Sequence, residues 1–179
     1  MNTSGSSERE VALPASAFVA LARALRMQGG PLAAIHGLHA AGYAAGESLS
    51  DLLLQSAHKQ GPDLPEREFW RSLSRFLARK GWGTLTHRAP HPGVGLLISR
   101  DWAESDGNET SQPSCAFSVG LLSHLLTRVA NGPVAVLEVS CRAAGRDTCT
   151  FAFGSEATIH DLYGLLLDGR GMEQALAEL

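Results

Sequence analysis

No run of apolar residues approaches the roughly 20 needed to span a bilayer, so a membrane-crossing helix is not expected. Basic residues are equally thin. The formal net charge is −3 and no dense Lys/Arg run stands anywhere along the chain, so the positive surface that offsets nucleic-acid phosphates is missing and nucleic-acid binding is not expected. The opening stretch, Met1 to Glu10, is polar and lacks the basic-then-apolar pattern of a secretory leader, which makes a cytoplasmic location the expectation. Residues 1–10 read as a disordered tail. Cysteine is scarce at three residues, an odd number in a chain expected to stay reduced, which argues against a disulfide framework. Catalytic signatures are absent too: there is no Gly-x-Ser-x-Gly elbow and no phosphate loop, and Gly93-x-Gly95 precedes a strand-like run rather than a helix. With no nucleophile and base nominated, the chain reads as a non-enzyme.

What is present describes one globular domain over residues 11–179. Hydrophobic residues make up 44% and charged residues 18%, enough apolar surface to bury a sizeable core. Pro14 to Met27 carries Phe18, Leu21, Ala22 and Leu25 at helical spacing and ends at Gly29-Gly30; Pro31 opens a second helical stretch to about Leu54. Asp63 or a neighbour is placed to cap a helix opened by Pro65, with stripe Phe69, Trp70, Leu73, Phe76 and Leu77 and a stop at Arg79-Lys80-Gly81. Gly83 to His87 and Val94 to Arg100 read as antiparallel strands, and Ser105 to Pro113 as a polar loop. Cys115 to Ala130 is a buried helix. Val134 to Val139 and Thr148 to Phe153 form a hairpin, and Ala157 to Leu167 and Met172 to Leu179 close the chain as helices. The class is α+β, helices packed on a small antiparallel sheet.

All three cysteines fall in the last third of the chain, Cys115 opening a helix and Cys141 and Cys149 bracketing the hairpin turn. A tetrahedral zinc site needs a fourth donor. Glu138 is the natural one, because a lone carboxylate in the apolar strand Val134 to Val139 is costly unless paired or bound to a metal. Side chains alternate along a strand, however, so Glu138 and Cys141 share a site only if the strand bulges or ends near Ser140. From spacing alone three readings stay open: a zinc site, three small buried hydrophobes, or a redox pair of Cys141 with Cys149.

The run Cys115-Ala116-Phe117-Ser118-Val119-Gly120, then Val136 to Cys141, Gly145 and Cys149-Thr150-Phe151, resembles the 4-vinyl reductase domain family. That family includes the sensory domains of phenol- and xylene-responsive activators and hydrocarbon-binding proteins, and its fold is related to TRAPP trafficking subunits. The resemblance implies a TRAPP-subunit-like ligand-binding domain with a structural zinc held by Cys115, Glu138, Cys141 and Cys149. It extends more loosely upstream through Gly42 to Gly46, the helix from Phe69 to Lys80, and Gly81 to Gly83. Val119 and Val136 stand where the phenol sensors carry aromatic hydroxyls, so phenol specificity does not transfer.

Such a domain leaves an apolar cavity between helices and sheet for a hydrophobic small molecule. Its expected lining is Phe69, Trp70, Leu73, Trp82, Leu97, Trp102, Phe117, Val119, Leu121, His124 and Val136, with His124 able to hydrogen-bond a ligand. Ordinary core is the competing role for each. A rival function is an adaptor with a filled core, dimerising through the Ala-rich first helices; a third is accessory work in tetrapyrrole vinyl reduction, implied by the family name alone. His36 with His39, and His87 with His91 if that segment were helical, are spaced to share a face but lack a third ligand.

Overall fold

A computed structural model describes residues 11–58, 65–105 and 113–179. The expected N-terminal tail, the Asp63 cap and most of the polar loop before Cys115 lie outside the described residues. Helix α1 (Ser16–His58) kinks at Gly30, whose backbone turns to φ 81°, so Pro31 opens the second half as its sequence suggested. Helix α2 (Glu66–Arg79) follows, then strands β1 (Thr86–His91) and β2 (Val94–Ser99), a 3-10 turn at Ala103–Ser105, and helix α3 (Ala116–Ala130). Strands β3 (Ala135–Ser140) and β4 (Cys149–Gly154) and helices α4 (Glu156–Leu167) and α5 (Met172–Ala177) complete the order. No described helix is long and apolar enough to cross a membrane.

Helix α2 ends as its sequence dictates. Gly81 takes φ 83°, its N–H reaches the Ala78 carbonyl at 3.0 Å, and the Trp82 N–H reaches that of Leu77 at 3.0 Å, the double bond of a Schellman motif. This turn drops Trp82 onto the core.

The four strands pair antiparallel in the order β1-β2-β4-β3. Strand β1 starts at Thr86 rather than Gly83, because two N–H groups in between are already spoken for. Thr84 donates to Asp101 Oδ1 and Leu85 to Ser74 Oγ, each at 2.9 Å, which ties both residues to loops and α2 rather than to the ladder. The segment is a strand, not a helix, so the helical premise for His87 and His91 fails.

Alternation along β2 and β4 divides the interior in two. Leu97 opposite Phe151 joins a core with Leu73, Leu77, Trp102, Leu121, Leu122 and Leu125 from the helical side. Leu96 opposite Ala152 joins a second core with Ile159 and Leu162 of α4 and Ala175 of α5. Leu121, Leu122 and Leu125 of α3 are fully buried, each contributing ~1.5–3 kcal/mol of burial. Helices α1 and α3 cross almost backbone to backbone: a Cβ on Gly42 would lie 1.9 Å from the Phe117 carbonyl oxygen, and one on Gly120 2.1 Å from that of His39. Part of the small-residue face expected to form a dimer is therefore used within the chain.

Candidate functional site

The β3–β4 hairpin and the first turn of α3 meet at one buried cluster. Along β3 the ladder runs Glu138 opposite Phe151 and then Ser140 opposite Thr150, so two residues of β3 face one of β4. This irregularity at Val139 is the break in alternation that the Glu138–Cys141 spacing required. After it the chain leaves Cys141 into a 3-10 turn (Arg142–Ala144), reverses at Gly145 with φ 76°, and re-enters the sheet at Cys149. The Cys141 carbonyl anchors that turn by accepting N–H bonds from Ala144 and Arg146 at 3.1 and 3.2 Å.

One donor atom from each of Cys115, Glu138, Cys141 and Cys149 lies within 4.8 Å of all the others, and all four residues are buried. The Cys115 sulfur is 3.8 Å from that of Cys141 and 4.0 Å from that of Cys149. A disulfide requires about 2.05 Å, so these thiols are not bonded to each other. By contrast, ligands at the usual Zn–S length of about 2.3 Å sit roughly 3.8 Å apart at tetrahedral corners.

Glu138 makes the fit more specific. Its Oε2 accepts the Cys115 N–H at 2.8 Å, while its Oε1 is buried with no hydrogen-bond partner. An orphaned carboxylate oxygen beside three sulfurs is costly unless a cation takes it up. Burial, then the adjacent Cys141, push the Glu138 carboxyl up to about 8. Among the sulfurs, hydrogen bonds from Cys115 and Cys141 pull Cys149 down to about 3, and its thiolate also accepts the Arg142 N–H at 3.5 Å. The same contacts push Cys115 up. Four potential anions cannot all be charged in one dry pocket without a positive ion, and a bound divalent cation reverses that balance.

Glu104 is a functional residue that sequence reasoning missed. From the 3-10 turn its carboxylate accepts the N–H groups of Phe117 at 3.0 Å and Ser118 at 2.8 Å, and a short bond from the Ser118 hydroxyl. With Glu138 on the Cys115 N–H, two buried carboxylates therefore serve the unsatisfied donors of the α3 N-terminus and meet its positive dipole. Burial raises the Glu104 carboxyl to about 7, with the Ser118 and Phe117 hydrogen bonds acting against it. The only local sequence signal was an acid two residues after Trp102, just before the segment read as a polar loop.

The expected ligand lining divides into three groups. Leu73, Leu97, Trp102 and Leu121 are fully buried, and the Trp102 indole N–H is taken by Ser118 Oγ at 2.7 Å. Above them stand partly buried Trp82 and Phe117, stacked at 5.6 Å, with Trp82 also 5.8 Å from Trp102. Phe18 of α1, outside the expected set, closes on both at 5.3 and 5.2 Å. Val119 and Val136 are partly buried against the same core. Phe69 and Trp70 pair at 4.9 Å, and Trp70 turns to stack on His87 at 4.0 Å and approach Phe153 at 5.4 Å. His124 lies at the α1–α3 crossing, 4.7 Å from the Tyr43 ring, with both ring nitrogens buried and unpartnered. Among the described residues no second group of three or more His, Cys, Asp or Glu side chains converges on a metal position, and His36 with His39 gains no third donor.

Residues 104–155 match the family model of the 4-vinyl reductase domain. No curated protein matches the chain. Among solved structures, the phenol-responsive sensory domain of the transcription activator PoxR with phenol is similar at 16% identity and TM-score 0.72, over 92% of this chain and 85% of that one. A vinyl-4-reductase family protein from Methanocaldococcus jannaschii matches at 17% identity and TM-score 0.54, over 81% and 83%. A trafficking protein particle complex subunit 3 from Naegleria fowleri, covalently bound to palmitic acid, matches at 15% identity and TM-score 0.60, over 78% and 91%. Residues 104–155, which hold Glu104 and all four donors of the cluster, thus form a region of the 4-vinyl reductase type set in the helix-and-sheet fold these structures share.

Proposed function

We propose that residues 11–179 form one cytoplasmic domain that binds a hydrophobic or aromatic small molecule between its helices and sheet. In the same reading Cys115, Glu138, Cys141 and Cys149 hold one structural zinc. The observation that carries the reading is that the β3–β4 hairpin supplies both the donor cluster and part of the apolar wall, through Val136 and Phe151. A metal that fixes the hairpin also fixes that wall. Four protein donors complete a tetrahedral set and leave no position for water, so the zinc would be structural and the domain not an enzyme.

Two of the similar structures are titled with an apolar or aromatic molecule, phenol in one and palmitic acid in the other, which supports a ligand of this class. The half-buried Phe18, Trp82 and Phe117 offer the apolar contact, and the unpartnered nitrogens of His124 offer a polar one. Native mass spectrometry of gently purified protein, with phenol and palmitate added in turn, tests the reading. Retention or uptake of either supports it, and an apolar-ligand-free protein that takes up neither overturns it.

A second reading is a dimeric adaptor with a filled core. It is favoured by Leu73, Trp102 and Leu121, at most 1% exposed, and by exposed Leu21, Met27, Leu32 and Ile35 along α1. Light scattering of wild type against Leu32→Glu distinguishes it, since a dimer through α1 would dissociate in the variant.

A further inference from the structure

Helix α2 carries Arg67, Arg71 and Arg75 one turn apart along an exposed face, and Arg88 of β1 stands across from them. All four line one open groove of about 590 Å³ between α2 and β1. Among the described residues no carboxylate pairs with any of these guanidinium groups; Arg75 reaches only Ser72 Oγ, at 3.5 Å. Glu66 shares the groove but accepts the Trp70 indole N–H at 3.1 Å.

Like charges four residues apart weaken a helix, and Arg67 sits in the first turn, where the dipole already repels a cation. Three such arginines work against the stability of α2, which marks the stripe as a surface made for an anionic partner. The chain as a whole is acidic, so this positive groove is local.

Strand β1 forms the other wall and is an edge strand: β2 lies on one side and no described strand on the other. Pro90 blunts its far end, leaving the run from Thr86 to Ala89 with free-edge backbone. Arginines four apart on a helix recur about every 6 Å. Alternate side chains of an extended chain recur about every 6.6 Å. An extended peptide with acidic residues at every second position therefore keeps step with the stripe while its main chain lies along β1.

We propose that the α2–β1 groove is a docking site for an extended acidic segment of a partner protein, added at the edge of β1 and held by Arg67, Arg71, Arg75 and Arg88. A single-stranded nucleic acid fits less well, because it needs an open aromatic face for its bases. The Trp70 ring is instead covered by His87 at 4.0 Å and approached by Phe69 and Phe153.

The test uses the full chain and fluorescence anisotropy with a labelled peptide alternating Glu and Val, its Lys/Val counterpart, and an oligothymidylate of similar length. Saturable binding of the Glu/Val peptide alone is expected, weakened at least about tenfold in the double variant Arg71→Glu with Arg75→Glu. The control Arg23→Glu with Arg26→Glu makes the same change in net charge on α1 and should leave affinity within about twofold. Hydrogen exchange in the wild-type complex should slow within residues 86–89. No saturable peptide binding, equal loss in both double variants, tighter binding of the oligothymidylate, or unchanged exchange at 86–89 each overturn the proposal.

Discussion

The N-terminal turn and the middle of α3 are held in place by opposite means. At the N-terminus, Cys115, Phe117 and Ser118 are fixed by buried polar groups: two carboxylates and three converging sulfurs. One turn further on, Gly120 meets α1 with no side chain at all, its Cα face pressed against the His39 carbonyl. The polar end depends on charge neutrality and hydrogen bonds, which fail steeply when one partner is removed. The crossing depends on empty volume, which fails only when something is added. One helix thus combines a chemically conditional anchor with an unconditional one.

The largest contrast should come from the metal side. Cys149→Ser, or treatment with a strong chelator, is expected to remove zinc and to cost on the order of 5 kcal/mol or more, enough to lose cooperative unfolding. Elemental analysis paired with thermal unfolding checks this; native protein that folds fully without metal breaks the comparison at its first term. Next, Gly120→Val should cost about 3 kcal/mol by overpacking while keeping its zinc, so stability and metal content separate.

Glu104→Gln comes third. It leaves one acceptor for donors that now share two, and should cost about 1–2 kcal/mol in urea unfolding at neutral pH. The wild-type pH profile sharpens the point. Because burial raises the folded carboxyl from its ordinary 4.5 to about 7, the folded state holds the proton more tightly than the unfolded state between these values. Stability is then full below about pH 4.5, falls as pH rises through the interval, by at most on the order of 3 kcal/mol, and levels off above about 7. In Glu104→Gln that fall should flatten.

The smallest effect belongs to the crossing. His124→Phe removes two unpartnered nitrogens and should leave stability within about 1 kcal/mol of wild type or slightly above. Uptake of a polar aromatic such as phenol should drop in the same variant, read by native mass spectrometry.

Much of this contrast was legible in the chain and part was not. The hairpin, the buried α3, the stop at Gly81 and the break at Gly30-Pro31 follow from local rules, and so does the need for an irregular strand between Glu138 and Cys141. Those signals act over a few residues. Glu104 gave no such signal, since its role arises only when the fold carries it to a helix end thirteen positions along the chain. Phe18 likewise reads as one more apolar residue on α1 until the tertiary fold sets it against Trp82 and Phe117. The basic groove escaped for a related reason: its arginines are dilute in sequence and gather only once α2 winds them onto one face.

The extra residue at Val139 has a consequence for how such a chain can change over generations. A strand is a two-beat pattern, and one inserted residue shifts its phase by half a cycle. Deleting Val139 would leave every donor present and the composition nearly untouched, yet would turn Glu138 away from Cys141. Substitution at that position is expected to be tolerated and deletion is not, which makes residue count, rather than residue identity, the quantity under constraint there.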